Sequence, residues 1–154
     1  MMVNACFHFR TLDEVRSIAS FVANSFPKPE ATAYGLSELL INAVEHGNLG
    51  IGYEKKTELL LSNTWQEEVE SRLMLQENKK KYGTLTFEYL EKSINICIKD
   101  QGKGFDSRPF MELSPERCVE THGRGIALAK MISFDTLEYI GCGNEVKCSV
   151  TLPG

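Results

Sequence analysis

Thr84-Leu-Thr-Phe-Glu-Tyr-Leu-Glu-Lys-Ser-Ile-Asn-Ile-Cys-Ile98 decides the fold class. Leu85, Phe87 and Tyr89 alternate with polar residues, and Ile94, Ile96 and Ile98 do the same. A period of two marks a strand with one buried face. The short polar link between the two runs fits a hairpin turn, which pairs them antiparallel. Working outward, Phe134 to Ile140 and Val146 to Leu152 read as two more strands, joined at Gly141-Cys-Gly-Asn144. Val3 to Phe9 reads as another. Strands of this kind need an apolar layer on one side only.

The helices supply that layer. Thr11-Leu-Asp-Glu14 is a capping-box pattern. Behind it Leu12, Val15, Ile18, Ala19, Val22 and Phe26 recur at helical spacing, and Pro27 and Pro29 end this helix and start the next. The second helix runs from about Glu30 to Gly47. Leu36, Leu39, Leu40 and Ala43 form its apolar stripe, and Glu38, Asn42 and Glu45 form a polar one. Glu54 to Leu61 reads as a short helix, and Thr64-Trp-Gln-Glu67 caps another that continues through Val69 and Leu73. Residues 54–83 together read as an added helical arm. Residues 102–122 have no period and contain Pro109 and Pro115, which suits a lid over about 105–122. Gly125 to Ile132 is helical. Early helices followed mainly by hairpin strands give an α+β two-layer sandwich rather than a parallel βαβ fold.

Composition sets the outer bounds. The 154 residues, 42% apolar and 25% charged, suit one soluble domain over 1–154. A net charge of -4 gives no reason to expect a nucleic-acid surface. Lys79, Lys80 and Lys81 form the basic run and read as a solvated helix end. No apolar stretch approaches the roughly 20 residues that span a bilayer. The first ten residues lack a signal layout, so a cytoplasmic protein with no membrane partner is expected. The cysteines at 6, 97, 118, 142 and 148 are scattered, which argues against a disulfide frame or a zinc site.

Three segments carry chemistry. Asp100-Gln-Gly102-Lys-Gly104 sits at the mouth of an apolar strand. A carboxylate there can accept a hydrogen bond from the exocyclic amine of adenine, where guanine presents an oxygen. Gly102 and Gly104 permit a tight turn and close backbone approach, although a plain polar turn has the same composition. His122-Gly123-Arg124-Gly125 opens a helix whose free amides favour phosphate, with Arg124 as a charged contact; a flexible helix entry reads the same way. Glu38 and Asn42 lie one turn apart. The Asn42 amide oxygen is a hard ligand suited to Mg²⁺ beside phosphate oxygens. Glu38 is placed to orient or deprotonate an attacking hydroxyl, and a solvated polar face is the alternative. Glu45 reads as a surface residue, and His46 as a hydrogen-bonding histidine at the helix end.

The order Glu38-x-x-x-Asn42-Ala-x-x-His46, Asp100-x-Gly102-x-Gly104, Gly123-x-Gly125-helix resembles the Bergerat-fold ATPases, the superfamily of gyrase, sensor histidine kinases and mismatch-repair ATPases. Within it the chain looks most like the anti-sigma-factor serine/threonine kinases of bacteria. The resemblance implies a mixed, mostly antiparallel sheet under helices, ATP and Mg²⁺ as cofactors, Glu38 as general base, Asn42 as metal ligand and Asp100 as adenine reader. It also implies that His46, Gly102, Gly104, Gly123, Arg124 and Gly125 line the nucleotide pocket. Such kinases phosphorylate a serine or threonine of a small anti-anti-sigma partner, bind a sigma factor, and commonly form homodimers. The arm over 62–83 is longer than in the simplest of them. It resembles the version coupled to response-regulator receivers and phosphatases. The alternatives are a catalytically silent, nucleotide-dependent interaction module and a plain ATPase.

Overall fold

The computed structural model describes residues 3–113 and 124–154. Five strands form one sheet in the order β1-β2-β3-β5-β4, with β1 Val3–Phe9, β2 Gly83–Tyr89, β3 Ser93–Lys99, β4 Thr136–Ile140 and β5 Glu145–Thr151. All four pairings are antiparallel, so the sheet anticipated as mixed runs one way and back throughout these residues. The hairpin read from 84–98 is in register, with Leu85 opposite Ile98 and Phe87 opposite Ile96.

Three helical segments cover one face. They are α1 Leu12–Ala23, α2 Pro29–Asn42, which continues as a π-helical turn over Ala43–Asn48, and α5 Gly125–Leu128, which continues likewise over Ala129–Ser133. The capping box at Thr11 is present, with Glu14 N–H donating to the Thr11 hydroxyl at 3.1 Å. Phe9, Leu85, Ile94, Ile98, Leu36, Leu39, Leu40 and Val15 are fully buried between the layers. The opposite face carries Thr86, Lys99, Lys147 and Glu138, all exposed, so it is a water face. Gly35 lets α2 lie close to the end of α5: a Cβ there would come within 2.7 Å of the Phe134 ring and overlap Ser133. Ser133 Oγ then donates to Ala31 O at 2.6 Å.

Between α2 and β2 stand α3 Tyr53–Leu61, α4 Trp65–Leu73 and a run of turns. The return of this segment is clamped by Arg10 at the end of β1. Its guanidinium donates to the carbonyls of Lys81 at 3.2 Å, Leu73 at 3.2 Å and Asn78 at 3.4 Å. The three lysines lie beyond the end of α4, not at a helix end. Lys79 and Lys80 are solvated, whereas Lys81 is half-buried and donates to Asn48 O at 3.2 Å. Among the described residues no helix is long and apolar enough to cross a membrane.

Candidate functional site

A cavity of about 680 Å³ opens where α2, the turn after β3 and the start of α5 meet. Glu38, Asn42 and His46 reach it from α2 and its π-helical turn, Asp100, Gly104 and Phe105 from the turn, and Arg124 and Gly125 from α5. Tyr139 on β4 and Lys56 and Trp65 from the α3–α4 segment complete much of the wall. Residues separated by more than sixty positions therefore share one hollow. Gly102 is not on the wall, and Gly123 and His122 lie outside the described residues, as does most of the segment read as a lid.

One end is built around Asp100. Its N–H donates to Asn144 O at 2.9 Å, which fixes the main chain where β3 ends. Gly102 N–H donates to Asp100 Oδ1 at 2.7 Å. Bare backbone holds the carboxylate on its other side. A Cβ on Gly47 would overlap it, and one on Gly102 would overlap the Gly47 carbonyl. Burial pushes the Asp100 carboxyl up to about 6, and the Gly102 bond offsets only part of that. Among the described residues no donor reaches Oδ2. The carboxylate is thus on the cavity wall, partly desolvated, and bonded at Oδ1 alone among the described residues. Gly104 (φ 83°) and Gly143 (φ 97°) press the chain after Asp100 onto the β4–β5 turn; a Cβ on the first would overlap Cys142 O, and one on the second Phe105 O.

The other end is built around Glu38. Its carboxylate rests directly on Gly125, where a Cβ would overlap Oε2. Burial raises its pKa above the ordinary carboxylate range, Glu45 adds to the rise, and Lys56 opposes it. Asn42 follows one turn later, and its side chain lies beside the Tyr139 hydroxyl on the cavity wall. Burial drives the Tyr139 pKa well up, so that group stays neutral at physiological pH.

Glu45 corrects the sequence reading. It is fully buried rather than on the surface. Lys56 Nζ donates to its Oε1 at 2.5 Å, His46 Nε2 lies 3.1 Å from the same oxygen, and Trp65 Nε1 donates to Oε2. Burial works to raise the Glu45 pKa, but bonds and charge from His46 and Lys56 outweigh it and hold the group ionised. The π-helical turn explains the change of face. Its wider i→i+5 pattern, seen in Leu49 N–H to Val44 O at 3.0 Å, turns each residue through a smaller angle. Glu45 therefore lags behind the Glu38–Asn42 stripe and points at the α3–α4 segment. His46 lines the cavity, but its Nδ1 bonds Ile51 O and its Nε2 faces Glu45, so both ring nitrogens are engaged. Lys56 and Trp65 escaped the sequence reading. The one available signal was that a lone tryptophan in a polar helix needs an acceptor for its indole N–H when covered.

An aspartate half-satisfied against two glycines, a half-buried carboxylate one turn before an asparagine, and a glycine-opened helix share one hollow. Residues 8–150 match the histidine kinase-like ATPase domain family. The chain is a histidine kinase-like ATPase domain. A comparison with curated proteins finds no match. The cavity of this ATPase domain passes a test of fit for ATP. Its volume lies in the roughly 300–1,000 Å³ range of small-molecule sites. It offers an unpartnered acceptor at one end and cations, Lys56 and Arg124, on its wall. Among the described residues no group of three or more His, Cys, Asp or Glu side chains is placed to hold a metal ion. Of the groups on the wall, the Asn42 amide oxygen is a hard donor of the kind a divalent cation accepts beside phosphate oxygens and water. Mg²⁺ suits such a sparse protein shell.

Proposed function

We propose that this ATPase domain is a protein kinase of the anti-sigma type, which uses ATP and Mg²⁺ to phosphorylate a serine or threonine on a small signalling partner. The observation that carries the proposal is Glu38. It is a half-buried carboxylate of raised pKa, one turn from Asn42 and on the cavity wall. A base is most useful when its pKa approaches the working pH, and burial moves Glu38 in that direction. Asp100 would accept the adenine amine at Oδ2, and Arg124 would meet phosphate oxygens. Bound Mg²⁺ supplies charge neutralisation across the terminal phosphates. Glu38 would accept the proton of the incoming hydroxyl. Phosphoryl transfer asks chiefly for positioning and charge stabilisation, so this small set of groups suffices. The partner fits an anti-anti-sigma-like protein, with a sigma factor as a second ligand and a homodimer as the working form.

Capture of partners from the source cell with ATP and with ADP, followed by labelled-phosphate transfer to the captured protein, tests this. A kinase labels a serine or threonine of the partner, and Glu38→Ala abolishes labelling. Partner capture that depends on ATP, with no labelling by the wild type, would establish a silent interaction module instead. Steady phosphate release without any partner would establish a plain ATPase.

A further inference from the structure

The α3–α4 segment reaches the cavity through Lys56, whose side chain is only 16% exposed. Among the described residues Lys56 and Arg124 are the Lys and Arg side chains on the cavity wall, against the carboxylates of Glu38, Asp100 and Asp106. Lys56 lies on the same cavity wall as Glu38 and is bonded to Glu45, on the turn that continues the helix carrying Glu38; its charge acts on Glu38. If the base is read at Asp100, the Glu38 end is where the phosphates lie.

Lys56 is held, but not consumed. An ammonium has three donors. One goes to Glu45 Oε1, and the Trp65 ring flanks the group with its centroid 5.4 Å away. Glu45 does not depend on Lys56 alone, because His46 Nε2 faces the same oxygen and Trp65 donates to the other. The ammonium can lean toward an anion in the cavity without leaving a bare carboxylate in the core.

We propose that Lys56 divides its ammonium between Glu45 and the terminal phosphate of the bound nucleotide, so that the α3–α4 segment reads the number of phosphates. The inference rests on the ATP reading given above. Exchange of ADP for ATP would draw Lys56 from Glu45 and shift the indole stacked beside it. The state of the nucleotide would thereby be written onto the surface formed by α3 and α4.

The chain has one tryptophan, so its emission reports Trp65 alone. The experiment titrates the full chain with adenosine, ADP and ATP in the presence of Mg²⁺, by calorimetry and by tryptophan emission. Wild type should prefer ATP to ADP, and its emission should shift with ATP but not with adenosine. Lys56→Met should lose about tenfold in ATP affinity while adenosine and ADP stay within about twofold, and Lys56→Arg should recover most of the loss. Should Lys56→Met not fold, Glu45→Gln/Lys56→Gln removes both charges together and is read in the same way. Glu45→Gln alone should bind ATP at least as well as wild type, since the ammonium is released toward the phosphate. A Lys56 variant that keeps the wild-type ATP:ADP ratio overturns the inference, because a purely structural ion pair would change the melting point and not that ratio. A wild type that binds adenosine but treats ADP and ATP alike sinks the inference and leaves the nucleotide site standing. A wild type that binds none of the three sinks both.

Discussion

At the scale of single residues, the proposed specificity rests on one oxygen atom. Gly102 occupies Oδ1 of Asp100, so in the proposed complex the exocyclic amine of a base and a titrating proton would compete for Oδ2. Two outcomes follow. ATP should bind and GTP should not, and Asp100→Asn should cost at least ~1.5 kcal/mol of ATP affinity through loss of a charged hydrogen bond, as measured by calorimetry. In wild type the affinity should climb as pH rises through about 6, where this carboxyl ionises in the free protein, and level off above it. A pH-independent affinity would remove Asp100 from the contact. Asn42→Ala should leave adenosine binding intact but abolish the Mg²⁺-dependence of ATP binding, which a titration with and without a chelator reveals. The polar members of the site were legible in the sequence because their spacing is local: Glu38 to Asn42 is one helical turn, and Asp100 to Gly104 is one loop. Glu45 was not legible. Its burial depends on Lys56 and Trp65, which arrive from a separate segment, and on a π-helical turn that no side-chain periodicity announces.

At the scale of elements, the cavity depends on close approaches that forbid a Cβ. Gly125 supports the Glu38 carboxylate, and Gly47 supports that of Asp100. Gly125→Ala should displace Glu38 and reduce phosphoryl transfer at least about tenfold, with adenosine affinity nearly unchanged, because its steric effect falls on the phosphate end. Gly47→Ala should do the reverse and weaken adenosine itself. Calorimetry with adenosine beside a transfer assay separates the two; equal losses at both ends would mean that the helix as a whole had moved. Strand positions were readable, since Leu85, Phe87, Ile94, Ile96 and Ile98 all face the core as their alternation requires. The π-helical continuations of α2 and α5 were not. A π-helical turn keeps the same residue types in a row and changes only which backbone groups bond, so side-chain spacing does not announce it.

At the scale of the whole molecule, the proposed adenine contact and stability oppose each other at Asp100. Its folded pKa is raised, so it contributes most to stability below its unfolded value near 4, and that contribution is lost as pH rises toward about 6. Without nucleotide, Asp100→Asn should therefore melt at a higher temperature than wild type at pH 8. With ATP at about 100 times its wild-type dissociation constant, the wild type gains roughly 2.7 kcal/mol and a variant bound ~1.5 kcal/mol more weakly gains about 1.3, so the variant's advantage should shrink by at least about 1.4 kcal/mol. Differential scanning fluorimetry with and without ATP measures both, and a variant that melts below wild type in the absence of nucleotide would contradict the origin assigned to the raised pKa. The fold class was legible overall because one hairpin and two amphipathic helices fixed its layers, while the distant partners of the α3–α4 segment were beyond any local pattern. That segment also has a mechanical side. Arg10 grips its return at three carbonyls, and the exposed Lys79 and Lys80 sit in the bend it grips. A tryptic nick at those lysines should therefore yield two peptides that travel together through gel filtration and part only in denaturant, since the severed ends stay tied to the first strand.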